Sequence, residues 1–246
     1  MYKKTVPHIF HMEIKLSVKP KNPVIIEGFP GIGLIGTITT EFLIKHLNAK
    51  PIGYIWSEEL LPIAAVHDSK IVQPLEVYYS QKENIVILHA LSDVRGLEWK
   101  ISQAVKDLSK LLNASEVISI EGIMSREATN NTFFITSDQK RKKLFESLKI
   151  NPLKEGIIIG VTAALMLKDP SVNTTGIFVE THTKLPDSKS AAKVIEVLDG
   201  YLNLKVDTKP LLAAAEDFEK KLKELIEQTK QTIEHKKDSK TLDYMG

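Results

Sequence analysis

The chain contains no cysteine. Disulfides, thiolate catalysis and cysteine-based zinc sites are excluded with it. It also lacks a charge imbalance: 33 Lys and Arg stand against 31 Asp and Glu, for a net charge of +2. That balance leaves no electrostatic footprint for nucleic acid, so no nucleic-acid partner is expected. No apolar run reaches membrane length, and residues 1–8 hold no apolar core of a signal peptide. A cytoplasmic protein without a membrane partner is expected. Catalytic signatures are missing too. There is no G-x-S-x-G elbow and no H-E-x-x-H pair. The histidines His8, His11, His46, His67, His89, His182 and His235 are scattered without ligand spacing, so no metal site is expected.

What is present is 246 residues, 43% of them apolar, which is enough for one large α/β domain or a domain with an appendage. Lys, Glu and Ile are abundant, a composition common in thermophiles. The most informative stretch is Val24-Ile25-Ile26-Glu27-Gly28-Phe29-Pro30-Gly31-Ile32-Gly33-Leu34-Ile35-Gly36. A short apolar run enters a glycine-rich turn, and a helical pattern follows at once. In α/β proteins such a turn is where phosphates and nucleotides bind.

Two phosphate motifs can be tested against it. Gly31, Gly33 and Gly36 satisfy G-x-G-x-x-G after a strand and into a helix. Pro30, however, removes a backbone donor from the turn. Glu58 and Glu59, the acids where a ribose ligand belongs, precede Leu60-Leu61-Pro62 and read as a turn. Gly28 to Gly33 also spells the first part of a P-loop. Leu34 and Ile35 then stand where that loop needs Lys and Ser or Thr, so the match fails. The remaining alternative is structural: Gly28, Gly31, Gly33 and Gly36 permit close packing, against a ligand or against another subunit.

Strand-like runs are expected at 9–18, 24–27, 52–56, 64–67, 76–79, 84–90, 117–120, 133–136, 157–161 and 176–180. Helical spacing covers 34–47, 97–112, 163–167 and a segment opened by Pro186-Asp187. Ser137 is the expected cap of another helix, running to about 148, whose Lys140-Arg141-Lys142-Lys143 run reads as a solvated face. Strands alternating with helices predict a three-layer α/β sandwich, and the consecutive strands between 64 and 90 make its central sheet mixed. Acids fall at strand ends: Glu27, Asp93, Glu121 and Glu180, with Arg95, Arg126 and His182 nearby. Glu121 with Glu180, Thr181 and His182 is a candidate cleft; alternatively such acids accept backbone N–H groups in loops.

The organisation expected is an α/β domain at 1–206, a helical segment at 207–236 and a flexible tail at 237–246. Asp207-Thr208-Lys209-Pro210 is a helix start. Leu211, Ala215, Phe218, Leu222, Leu225, Thr229 and Ile233 then recur every three to four residues. Such a helix spans about 40 Å and is expected to pack on the domain or on a neighbouring subunit. Leu242, Tyr244 and Met245 close the polar tail and are candidates for a docking peptide.

The stretch from Gly28 to Gly36 resembles the signature of the proteasome assembly chaperone family, in its archaeal and bacterial forms. Further segments agree in order. They are Trp56-Ser57-Glu58-Glu59-Leu60-Leu61-Pro62, Glu121-Gly122, the run from Gly160 to Leu167, the run from Gly176 to Thr181, and Pro186-Asp187 with Ala191-Ala192. The resemblance implies a fold similar to the purine-nucleoside-phosphorylase-like (phosphorylase/hydrolase-like) sandwich and a homo-oligomer such as a trimer or tetramer. It also implies a non-enzymatic chaperone that binds proteasome α subunits or the α-ring and needs no cofactor. Some members insert a C-terminal hydrophobic–Tyr–any-residue tail between α subunits. Here Tyr244 is third from the end and follows Asp243. The alternative reading is a nucleotide- or nucleoside-handling enzyme that uses the glycine turn and the strand-end acids.

Overall fold

The computed structural model describes residues 12–67, 69–91, 93–125, 129–168, 172–210 and 212–213. The chain divides into two units, 1–206 and 207–246. The first begins with strand β1 (Glu13–Leu16), β2 (Val24–Gly28), a 3-10 turn (Ile32–Leu34) and helix α1 (Ile35–His46). Strands β3 (Lys50–Trp56), β4 (Ala65–His67), β5 (Lys70–Val72), β6 (Leu75–Ser80) and β7 (Ile85–Ala90) follow. Then come α2 (Glu98–Leu112), β8 (Glu116–Met124), β9 (Thr132–Thr136), α3 (Gln139–Ser147) and β10 (Asn151–Pro152). The unit ends with α4 (Gly160–Lys168), β11 (Thr174–Thr181) and α5 (Ser188–Leu202).

Nine strands form one mixed sheet in the order β1-β3-β6-β7-β2-β8-β11-β9-β10. Its centre, β7-β2-β8-β11, is parallel. Side-chain alternation along these strands separates two cores. Ile25, Val86, Leu88 and Val117 face α2 and α4. Ile26, Ile87, Ile118 and Val179 face α1, α3 and α5. With both faces covered, the central strands are apolar almost throughout, and each fully buried aliphatic side chain stabilises the fold by about 1.5–3 kcal/mol. Five helices therefore flank the sheet, and the carboxyl ends of its four parallel strands open on one edge.

Several expectations need correction. The run at 157–161 is not a strand: Ile157 is 86% exposed, Ile159 is 58% exposed, and α4 starts at Gly160. Both edges of β8 and of β11 are already paired, so this run has no sheet edge to join there. The segment at 64–67 forms strand β4, but it pairs only with β5 in a separate two-stranded hairpin. β3 and β6 make the antiparallel flank in its place. Asp138 rather than Ser137 caps α3, accepting from the N–H groups of Lys140 and Arg141; both residue types suit the role, and geometry selects the carboxylate. Strand β8 runs past Ile120 to Met124. The edge strand at 9–18 contracts to β1, and residues 9–11 lie outside the described set.

Of the second unit, residues 207–210, 212 and 213 are described. Lys209 and Pro210 are helical, and the Leu212 N–H donates to the Thr208 carbonyl at 3.0 Å. The rest of the expected helix, and Leu242, Tyr244 and Met245, lie outside the described residues. Among the described residues, no helix is long and apolar enough to cross a membrane.

Candidate functional site

The site grows from the end of β2. Gly28 and Gly36 meet backbone to backbone: a Cβ on Gly28 would stand 2.3 Å from the Gly36 carbonyl oxygen. Strand and helix can approach this closely only without side chains. Between them, Gly33 takes φ +68°, the left-handed region that glycine enters without a Cβ clash. Leu34 is left-handed as well, with φ 51°, and its N–H closes the turn on the Gly31 carbonyl at 3.1 Å. The Gly33 carbonyl accepts the Asp187 N–H at 2.9 Å, which ties the turn to the start of α5. Asp187 also accepts from Thr181 Oγ1 at 2.7 Å and from the Ser190 N–H at 2.9 Å.

The centre of the turn is already filled, and by an anionic group. Glu121 of β8 lays Oε1 over Gly31, 2.3 Å from where a Cβ would be. Its carboxylate accepts the backbone N–H groups of Ile32 and Gly122, and Thr162 Oγ1 at 3.3 Å. The chain's own carboxyl thus takes a donor that a phosphate would need, and in its ionised form it opposes a second anion. Burial pushes the Glu121 pKa up to about 7; the three hydrogen bonds partly offset that rise.

Behind it lies a second carboxyl. Glu27 is fully buried, and burial raises its pKa to about 8, so it is protonated at neutral pH. Its Oε1 is hydrogen-bonded to Ser119 Oγ, while Oε2 has no partner. Ser119 Oγ donates to Thr162 Oγ1 at 2.7 Å. Each hydroxyl has one proton to give. The chain is consistent when protonated Glu27 donates to Ser119, Ser119 to Thr162, and Thr162 to the Glu121 carboxylate. The geometry can hold and share a proton between β2 and the glycine turn.

The structure brings together Gly28, Gly31, Gly33, Gly36 and Glu121. Glu180 is separate. It is on the same sheet face, two residues beyond Phe178, which pairs with Glu121. Its carboxylate accepts instead from Thr129 and from Asn131 Nδ2, the latter at 3.0 Å, and so organises a loop. His182 is exposed. Arg95 and Asp93 pair with each other at 2.9 Å. Two depressions adjoin Glu121. One, of about 640 Å³, is lined by Phe29, Arg95 and Lys184. The other, of about 810 Å³, runs over the ends of β8, β11 and β10 past Met124 and Ile157. Among the described residues, no group of His, Asp or Glu could hold a metal. Ser119 and Thr162 escaped the sequence reading because a hydroxyl inside an apolar strand or helix carries no pattern of its own. Asp187 was legible only as a helix start.

Comparison with known proteins finds the same fold over most of the chain. The structure superimposes on Pyrococcus furiosus PbaA, an archaeal homologue of proteasome-assembly chaperone, with TM-score 0.79 and 30% identity, covering 96% of this chain and 100% of that one. Pyrococcus furiosus PbaB, an archaeal proteasome activator, shares the fold with TM-score 0.74 at 20% identity, covering 88% and 99%. An uncharacterised protein of Methanocaldococcus jannaschii is 31% identical over 221 residues, 87% of this chain and 90% of that protein. The model of the PAC2 family matches residues 25–226. By that match, which takes in the glycine turn, both buried carboxyls and the whole parallel sheet, the chain belongs to the PAC2 family.

Proposed function

We propose that this protein is a non-enzymatic cytoplasmic chaperone that binds proteasome α subunits and assists or regulates proteasome assembly. The observation that carries the reading is the end-to-end likeness, at 30% identity, to an archaeal homologue of proteasome-assembly chaperone. The site supports it. Glycines that serve backbone packing, with Glu121 seated in their turn, make a rigid scaffold rather than a phosphate cradle. In this reading the three layers form a phosphorylase-like sandwich used as a frame, copies of the chain associate as a trimer or tetramer, and Leu242, Tyr244 and Met245 dock on the α-ring. The nucleoside-handling alternative has the 640 Å³ depression in its favour, with Arg95 and Lys184 in its lining, but Glu121 in the same lining already takes the Ile32 N–H of the turn.

The test is capture of α subunits of a matched archaeal proteasome by the full chain and by a chain ending at residue 236. Capture by the full chain alone assigns docking to the tail and makes Tyr244→Ala the next variant. Capture by both moves docking to the domain. No capture by either overturns the proposal.

A further inference from the structure

The connections that leave β2 and β7 diverge at the carboxyl end of the sheet. The two strands are parallel neighbours. The turn after β2 leads to α1, whose Ile35 and Leu43 lie in one core, and the loop after β7 leads to α2, whose Ile101 and Val105 lie in the other. In open α/β sheets, ligands bind in the crevice that such a divergence leaves. Here the crevice is the 640 Å³ depression. Its lining joins Phe29 and Gly31 of the turn, Val94 and Arg95 of the loop, and Ile159 and Gly160 at the start of α4. That volume falls in the range of small-molecule sites.

Glu121 enters this depression from β8 and keeps part of its surface open. A glycine stands at each of its oxygens, Gly31 at Oε1 and Gly160 at Oε2, so no side chain at either position covers the carboxyl. A carboxylate offers about four lone-pair sites. Three donors reach this one: the Ile32 and Gly122 N–H groups and the Thr162 hydroxyl. The start of α4, where a helix favours an anion, lies beside it. The site's anion is therefore the chain's own. What it lacks is a cation: burial and those hydrogen bonds set the Glu121 pKa, with no cation among the causes. Arg95 is engaged with Asp93 at 2.9 Å, which leaves Glu98 and Glu121 against the exposed Lys184 in the lining. We propose that this depression binds a small primary amine with an apolar body, its ammonium on the Glu121 carboxylate and its hydrocarbon against Phe29, Val94 and Ile159. A charge-assisted hydrogen bond is strongest where water is largely excluded, and the carboxyl sits in such a place. The inference stands apart from the proteasome reading, and its test uses no proteasome subunit.

The test is isothermal titration of the full chain at pH 8, where Glu121 is largely ionised, with benzylamine, benzyl alcohol and inorganic phosphate. Benzylamine is expected to bind with a Kd of about 1 mM, and the uncharged alcohol and phosphate about tenfold more weakly or worse. Lys184→Glu, at an exposed position, should tighten benzylamine binding about threefold, a change that a merely structural role would not produce. Glu121→Gln should weaken it about tenfold or more. If that variant fails to fold, Ile159→Trp, at a position 58% exposed in the same lining, narrows the depression and takes its place. Nα-acetyl-lysine amide carries the same ammonium on a peptide and should bind more weakly than benzylamine. Tighter binding of that probe would put the amine on a protein and overturn the proposal. So would no benzylamine binding up to about 20 mM, equal binding of benzyl alcohol, or binding unchanged in Glu121→Gln and Ile159→Trp.

Discussion

Strand β8 carries a buried carboxylate near each end, and the two are built differently. At its start, Glu116 meets Arg141 at 3.0 Å, Tyr201 Oη at 2.8 Å and the Thr175 hydroxyl. Burial still raises its pKa, but Thr175 and the Arg141 charge work against that rise. Toward the other end, Glu121 and its neighbour Glu27 are held by hydroxyls and backbone N–H groups, and the causes of their shifts include no cation. The first is a compensated charge that pins α3 and α5 to the sheet. The second stores a proton beneath the glycine turn. One strand therefore supplies a structural ion pair at its amino end and a proton-linked cluster where α/β folds place their sites.

Removing the cation should produce the largest loss of stability. Arg141→Ala leaves Glu116 buried and unpaired and should destabilise the chain by roughly 3 kcal/mol, read from urea unfolding at pH 7. If Arg141→Ala costs as little as an ordinary surface substitution, the amino-end cluster is not the compensated one.

The next effect depends on pH. Folded, Glu27 keeps its proton to about pH 8; unfolded, it loses it near 4.5. Between those values the folded state binds more protons, so raising the pH favours unfolding, and the loss levels off above about 8. Each carboxyl should lower stability by up to about 1.4 kcal/mol per pH unit, Glu27 across that window and Glu121 up to about pH 7. Glu27→Gln should flatten the slope, and its stability relative to the wild type should rise by about 3–4 kcal/mol between pH 5 and pH 8. Unfolding curves at the two pH values decide it; parallel curves would mean that Glu27 is ionised when folded.

A smaller change should come from Gly31→Ala. The added methyl meets the end of the Glu121 side chain, which can swing away at a cost of roughly 1 kcal/mol, losing a hydrogen bond to the turn. Its sign is that the pH slope below 7 shrinks as Glu121 gains solvent. Tyr201→Phe should cost least, about 0.5–1 kcal/mol, because Arg141 and Thr175 still hold Glu116. Losing the Tyr201 hydrogen bond lifts the Glu116 pKa further, while the slope that Glu27→Gln removes should persist in Tyr201→Phe, which keeps the two clusters distinct.

The parts of this architecture that were legible in advance are those with a repeating signal. Helix α2 was readable because Ile101, Ala104, Val105, Leu108, Leu111 and Leu112 fall close to helical spacing, and all but Leu111 are buried. Strands β2 and β7 were readable as apolar runs because both faces are covered. Glu121 was visible as a strand-end acid, but its partner was not: Gly31 is ninety residues away, and only the parallel pairing of β2 with β8 brings their ends together. The run at 157–161 has the composition of a strand and the surroundings of a loop. Apolar composition states what a segment would bury, not whether an edge is free to receive it.

By itself, the sequence determined the alternation of strands and helices, a glycine-rich turn between strand and helix, the helix start at Asp187 and the absence of thiol chemistry, because each depends on local sterics or on residue type alone. Only the tertiary structure decided that Glu121 fills the turn, that Glu27, Ser119 and Thr162 form one proton-holding chain, and that the run at 157–161 finds no sheet edge to join. These are properties of strand order, and strand order is set by long-range burial that no local pattern encodes.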